Sequence, residues 1–339
     1  MKKFIFIFFC LIFISKLFSQ KYKTNYFEYH DQINKAEFFF FKENNLDSCF
    51  YYYDKTFREF DFVFIRDVVN VAQMAMYSNN DFIKYLEKGF SSGLKIEHLK
   101  GIPLFKDYYL KNKNNKKLKS LYEINRLKYL KSINIDYLDF IYDLAIQDQI
   151  DKHNVRKIYK EKIKRSINLF EKKVIEYGFP GEKNIGIADS SIFKELKTHK
   201  LDFYARIKKF DKSNKIRYFK SEDKNVSLRL PFLIMVHYFE SYSRLYPYWL
   251  AEIKKGNIHP RAVAMIHDNT YRCNCSTKYL KGYYGNNIFT TYDESKWNIK
   301  NINKNRASIH MNTLEIDIQK KRYEEKFNFI FTYGLFNHR

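Results

Sequence analysis

Proline and glycine are scarce in this 339-residue chain, at 5 and 10 residues. A turn-rich β sandwich or barrel needs more of both, so the deficit favours helices. Cysteine is rare too, at 4, and Cys10 sits inside an apolar leader. The others, Cys49, Cys273 and Cys275, are odd in number and exclude a complete disulfide framework. Cys49 lies in an aromatic helical stretch and reads as a small core residue. Cys273 and Cys275 leave three options: one bridges to Cys49, both bind metal with His267, or both are plain loop thiols, the favoured reading. After the leader, no apolar run reaches the roughly 20 residues that cross a bilayer. The signatures HExxH, GxSxG, GxxxxGK(S/T) and GxGxxG are all missing, and no cofactor or metal set is legible.

What is present begins with the leader. Lys2 and Lys3 precede an apolar run from Phe4 to Ile14, and Leu17-Phe18-Ser19-Gln20 offers a small residue at an exit point. This is the pattern of a cleaved secretory signal peptide over 1–19, which places the mature chain in the periplasm or outside the cell. Apolar residues make up 45% of the chain and aromatics 19%, ample for a core. The net charge of +23 invites a nucleic-acid reading. Lysines run along nearly the whole length, however, and no basic stripe or recognisable module accompanies them, so a solvated surface is expected and nucleic acid is not.

Residues 26 to about 153 read as successive helices, with 20–134 expected to form a helical-repeat-like domain. Tyr29, Ile33, Ala36 and Phe40 are spaced three and four apart, as one helix face requires, up to a break at Asn44-Asn45. Further helices are expected over about 46–60 and 64–77, the latter with Val68, Val69, Ala72, Ala75 and Met76 inward. Asp81 can cap a fourth that ends near Ser92-Gly93. Asp47 and Asp81 are 34 residues apart, as are Tyr51 and Tyr85, and this stretch resembles tetratricopeptide repeats. The resemblance implies helical hairpins with a face for binding another protein. The Trp-Leu-Gly and closing-Pro signals of such repeats are absent.

A second, mostly helical domain is expected over 135–315, with 316–339 as a C-terminal tail. One long helix should run from near Asp148 to Tyr177, with Ile158, Ile163, Ile167, Phe170 and Val174 inward, and stop at Gly178-Phe179-Pro180-Gly181. Helices over about 228–242, 244–255 and from Pro260 to Asp268 follow. Polar residues punctuate these apolar helices: Asp148-Gln149 after Ile146, His237 after Val236, and His267-Asp268 after Ile266. If buried, each needs partners, because an unpaired buried polar group costs ~1–3 kcal/mol.

In order, Asp148-Gln149, Gly178-Phe179-Pro180-Gly181, His237, Asp268, Tyr284-Gly285 and Arg306 resemble an uncharacterised family of bacterial domains. Its motifs are Asp-Gln, Gly-Trp-Pro-Gly, Gln-His-Ala-Asp, Asp-Arg and Tyr-Gly-Thr-Gln. This chain departs from them at Lys152, Val236, Phe239, Asn269 and Asn286-Asn287. The resemblance implies an exported protein but no activity.

Two functional readings follow. The first is a protein-binding or scaffolding role, with the polar cluster specifying the fold. The second is a hydrolase-like enzyme, with or without a metal. In it His237 acts as base or metal ligand, Asp268 orients it, and Asp148, Gln149 or Glu240 positions water or substrate. His267, Tyr284 and Arg306 are further site candidates.

Overall fold

A computed structural model describes residues 22–151, 155–187, 191–201, 205–206, 231, 234–235, 241–273, 283–285 and 298–331. These residues form an all-α fold, with no strand among them. None of the described helices is long and apolar enough to cross a membrane.

The front helices begin and end where side-chain chemistry dictates. Helix α1 (Tyr26–Phe38) starts at Asn25, whose side chain accepts the Phe27 N–H. It continues as a π turn over Phe39–Glu43, closed by Asn44 in the left-handed conformation. Helix α2 (Leu46–Glu59) starts at Asn45, which accepts the Ser48 N–H at 2.9 Å. An extended Asn whose side chain takes a first-turn N–H satisfies one of the donors that a helix start leaves free. Helix α3 (Ile65–Tyr77) is buried through most of its length, and helix α4 (Ile83–Ser91) opens beside Asp81, which accepts the Ile83 N–H. Helices α1 and α2 pack together, as do α3 and α4. The expected inward residues Tyr29, Ile33, Ala36, Phe40, Val68, Val69, Ala72 and Ala75 are all buried, and Met76 is half-buried.

After short 3-10 turns come α5 (Lys106–Asn112) and α6 (Lys116–Ser132), the latter packed on α4 and capped by Asn115. The long helix expected to run from near Asp148 to Tyr177 starts only at Arg156. Helix α7 (Ile135–Asp151) contains Asp148, and α8 (Arg156–Tyr177) begins afresh. Ile163, Ile167, Phe170 and Val174 are buried as expected, while Ile158 is exposed. Two four-residue turns, α9 (Glu182–Ile185) and α10 (Ile192–Glu195), precede α11 (Ser241–Lys254) and α12 (Pro260–Cys273), which pack on each other. Helices α13 (Ile299–Ala307) and α14 (Leu314–Phe327) follow. Thus part of the segment read as a tail is helical, with Ile316, Asp317 and Lys320 buried.

One apolar core cluster runs from Tyr26 to Phe331, through both halves of the chain. Helix α11 packs on α1, and α14 packs on the π turn after α1. The Gly-Phe-Pro-Gly loop is part of this packing. At Gly178, φ is +84°, and a Cβ there would overlap the Asn257 side chain. A Cβ at Gly181 would overlap the Asn257 carbonyl. The buried Glu252 carboxylate accepts the Phe179 N–H at 2.6 Å and the Asn257 amide at 2.8 Å, tying the loop to the end of α11. Cys49 is a free, fully buried thiol whose pKa burial pushes up, so it behaves as a core residue. The Cys273 side chain and Cys275 lie outside the described residues.

Candidate functional site

The sequence-derived candidates fall into two groups, while His237 and Glu240 lie outside the described residues. The first group ends α7. Asp148 is buried and accepts hydrogen bonds from the Gln149 amide at 2.7 Å and the Tyr159 hydroxyl at 3.0 Å. Burial, then the Asp148 charge, pushes the Tyr159 hydroxyl above its ordinary pKa. The next carboxylate, Asp151, takes Gln147 and Lys162.

The second group is built on α12. The run Ala262-Val263-Ala264-Met265-Ile266 is buried and draws His267 and Asp268 inside with it. His267 Nδ1 lies 2.9 Å from Asp268 Oδ1. Three tyrosine rings enclose the imidazole, with centroids 4.7 Å (Tyr242), 4.4 Å (Tyr283) and 5.2 Å (Tyr284) away. Burial, then Tyr284, raises the pKa of Tyr242, and burial pushes Tyr284 up to about 12.

Arg306, on α13, completes the group from the other side. Its side chain is fully buried. Nε donates to the Tyr284 carbonyl at 2.7 Å, Nη1 to the Asn312 carbonyl at 3.0 Å, and Nη2 to the Gly285 carbonyl at 3.3 Å. Nη2 also meets Asp317 at 2.7 Å. Asp268 accepts the Tyr284 N–H at 3.4 Å. The Tyr284-Gly285 backbone is therefore held by Asp268 through its N–H and by Arg306 through its carbonyls. The structure thus brings His267, Asp268, Tyr284 and Arg306 together. Among the described residues no hydrogen bond or ion pair joins Asp148 to His267 or Asp268, and all three have further partners. A His–carboxylate pair fixes the imidazole tautomer and raises its basicity, which general-base chemistry requires. The same pair can equally satisfy two buried polar groups.

A third group has no counterpart among the sequence candidates. A cleft between α1, α3 and α12 is lined by His30, Glu37, Arg66, Asp67, His259 and Arg261, with Asp317 and Lys320 of α14 close by. Glu37 receives Lys320 at 2.5 Å, the Asn312 amide and the Asn70 amide. Asp317 receives both Arg261 and Arg306. Asp67 accepts the Tyr29 hydroxyl at 3.0 Å and faces His259 Nε2 at 3.6 Å, too long for a hydrogen bond. Burial and the neighbouring cations or histidine hold His30 and His259 well below the ordinary imidazole pKa, so both rings are neutral near pH 7. Burial alone would raise Asp317, but Arg261, Arg306 and Lys320 outweigh it and hold the carboxylate far below its usual range. Among the described residues no set of three or more His, Cys, Asp or Glu side chains is arranged to hold a metal ion.

The one signal that could have found this cleft was charge at positions next to buried ones. Glu37 follows Ala36, and Arg66-Asp67 precede Val68-Val69. No protein family, curated protein or solved structure matches this chain.

Proposed function

We propose that this chain is an exported binding protein, in which the polar motif residues of the back half build the fold and do no chemistry. The observation that supports this is how completely those side chains are used inside the protein. Arg306 has no exposed surface and commits Nε, Nη1 and Nη2 to three carbonyls and Asp317. Asp148 is spent on Gln149 and Tyr159, and Asp268 on His267 and the Tyr284 N–H. A catalytic group must instead turn a polar atom towards substrate. The resemblance to tetratricopeptide repeats suggests that the partner is another protein, met by the front helices. Phe38, Tyr51 and Tyr77 of these helices are exposed at 43%, 57% and 41% and supply apolar contact area.

The second reading, a hydrolase-like enzyme, rests on the 2.9 Å contact between His267 and Asp268 inside a tyrosine cage. Stability measurements separate the two. Asp148→Asn and Asp268→Asn keep shape and remove charge. If these carboxylates hold the fold, each variant loses ~1–3 kcal/mol in urea denaturation, the cost of weakening charge-assisted buried bonds. Catalytic residues are strained for function, and their isosteric replacement leaves stability unchanged or higher. A gain in stability for Asp268→Asn would sink the structural reading.

A further inference from the structure

Among the described residues, Arg66 is a cation of the charged cleft that no carboxylate pairs. Arg66 is 5% exposed, and its Nε and Nη1 are buried with no hydrogen-bond partner. Among the described residues no carboxylate oxygen forms an ion pair with it, and those nearby are already engaged. Asp317 holds Arg261 and Arg306, Glu37 holds Lys320 and two amides, and Asp67 takes Tyr29. On its other side Arg66 borders a second pocket with Glu182, but Glu182 accepts the Ile65 N–H and makes no ion pair with Arg66. His30 lines the same cleft as Arg66, is 2% exposed, and leaves Nε2 without a partner.

Leaving a guanidinium buried and unpaired is costly, since desolvation is offset only by a partner of opposite charge. The positive ends of α3 and α12 lie at the cleft as well, because Arg66 and Arg261 are each the second residue of their helix. The cleft offers about 20 Å³ to the centre of a water-sized group. One water needs ~10–15 Å³ by that measure, so there is room for a water or a small anion. Asn34 and His310, both partly exposed, line its outer part.

We propose that this cleft is a binding site for a small oxyanion, with the Arg66 guanidinium as its main donor and His30 Nε2 as a second. Inorganic phosphate, sulfate and a carboxylate share the needed chemistry: a compact anion with several acceptor oxygens that the planar guanidinium fork can meet. The proposal is independent of whether His267 and Asp268 are structural or catalytic.

The test is calorimetric titration of the purified full chain with inorganic phosphate, sulfate and acetate in separate arms, at constant ionic strength with chloride as counterion. Saturable binding of at least one oxyanion, one per chain, is expected. Its affinity should fall at least tenfold in Arg66→Met and less in Arg66→Lys, which keeps the charge but loses the fork. Tighter phosphate or sulfate than acetate marks a tetrahedral site, and the reverse order marks a carboxylate site. Circular dichroism melts without added oxyanion serve as the fold control. Arg66→Met should melt no lower than the parent, because it removes an unpaired buried charge. No saturable binding in any arm, or equal affinity in parent and Arg66→Met, overturns the proposal. So does an Arg66→Met variant that loses stability without ligand, since Arg66 would then be a structural group.

Discussion

Arg306→Met is the perturbation with the largest expected consequence. Methionine nearly fills the space of the aliphatic stem and supplies no donor. The substitution leaves the carbonyls of Tyr284, Gly285 and Asn312 without their guanidinium bonds and strips Asp317 of one of two cations. Each orphaned buried acceptor costs ~1–3 kcal/mol, and losing one partner of a buried ion pair costs ~3–5 kcal/mol. These costs do not add, because Asp317 keeps Arg261 and the freed loop can reach water. An overall loss of ~4–6 kcal/mol is therefore expected, out of the ~5–15 kcal/mol that holds a typical domain together. Urea denaturation followed by circular dichroism measures it, with a reduced midpoint and an unchanged slope. A loss below ~1 kcal/mol would refute the claim that Arg306 is a structural hub, since it would mean these carbonyls are satisfied without it.

Other consequences are smaller or more local. Between pH 7 and 5 the chain should lose stability. His30 and His259 have depressed pKa values, so the unfolded state takes up their protons first and each contributes a slope of up to ~1.4 kcal/mol per pH unit. Glu182, raised to about 7 by burial, binds its proton more tightly when folded and opposes this trend. Two histidines against one carboxyl leave a net loss of ~1.4 kcal/mol per unit over roughly pH 6.5 to 5, and urea midpoints that are flat or rising towards pH 5 would contradict it. Gly181→Ala should lose at least ~2 kcal/mol, because its Cβ would overlap the Asn257 carbonyl and backbone must move; a melting temperature within a degree of the parent would count against that packing. Asn45→Ala should lose ~1 kcal/mol by removing the cap on the Ser48 N–H, read as faster amide exchange in the first turn of α2.

The front half was legible because it is punctuated, by the Asn44-Asn45 break and the Asp81 cap. The apolar spacing of Tyr29, Ile33, Ala36 and Phe40 marks one face, so α1 to α4 fall where the pattern put them. The back half was legible in its motif residues but not in their use. The sequence pointed to His267, Asp268, Tyr284 and Arg306, yet only the geometry shows that Arg306 grips the Tyr284-Gly285 backbone. A carbonyl partner leaves no residue-type signal. The charged cleft carried only a faint signal, charge beside buried positions, for a different reason. In a chain with 61 Lys and Arg residues and 38 Asp and Glu, one buried Arg has no contrast against the solvated ones. Helix α14 was read as tail for the same cause: its inward face includes Asp317 and Lys320, which look like surface until their partners Arg261, Arg306 and Glu37 are seen.

The central claim is that Asp268 and Arg306 act together on one turn to hold the fold. A double-mutant cycle with Asp268→Asn and Arg306→Lys, read by urea denaturation, tests it most directly. Both groups bind the Tyr284 peptide unit or its neighbour, so once one is lost the turn is already loosened and the second loss should cost less. The expected result is two destabilising single variants with a coupling of ~1 kcal/mol, within the ~0.5–3 kcal/mol seen for residues sharing a network. Losses that add to within ~0.3 kcal/mol, or an Asp268→Asn variant more stable than the parent, would contradict it.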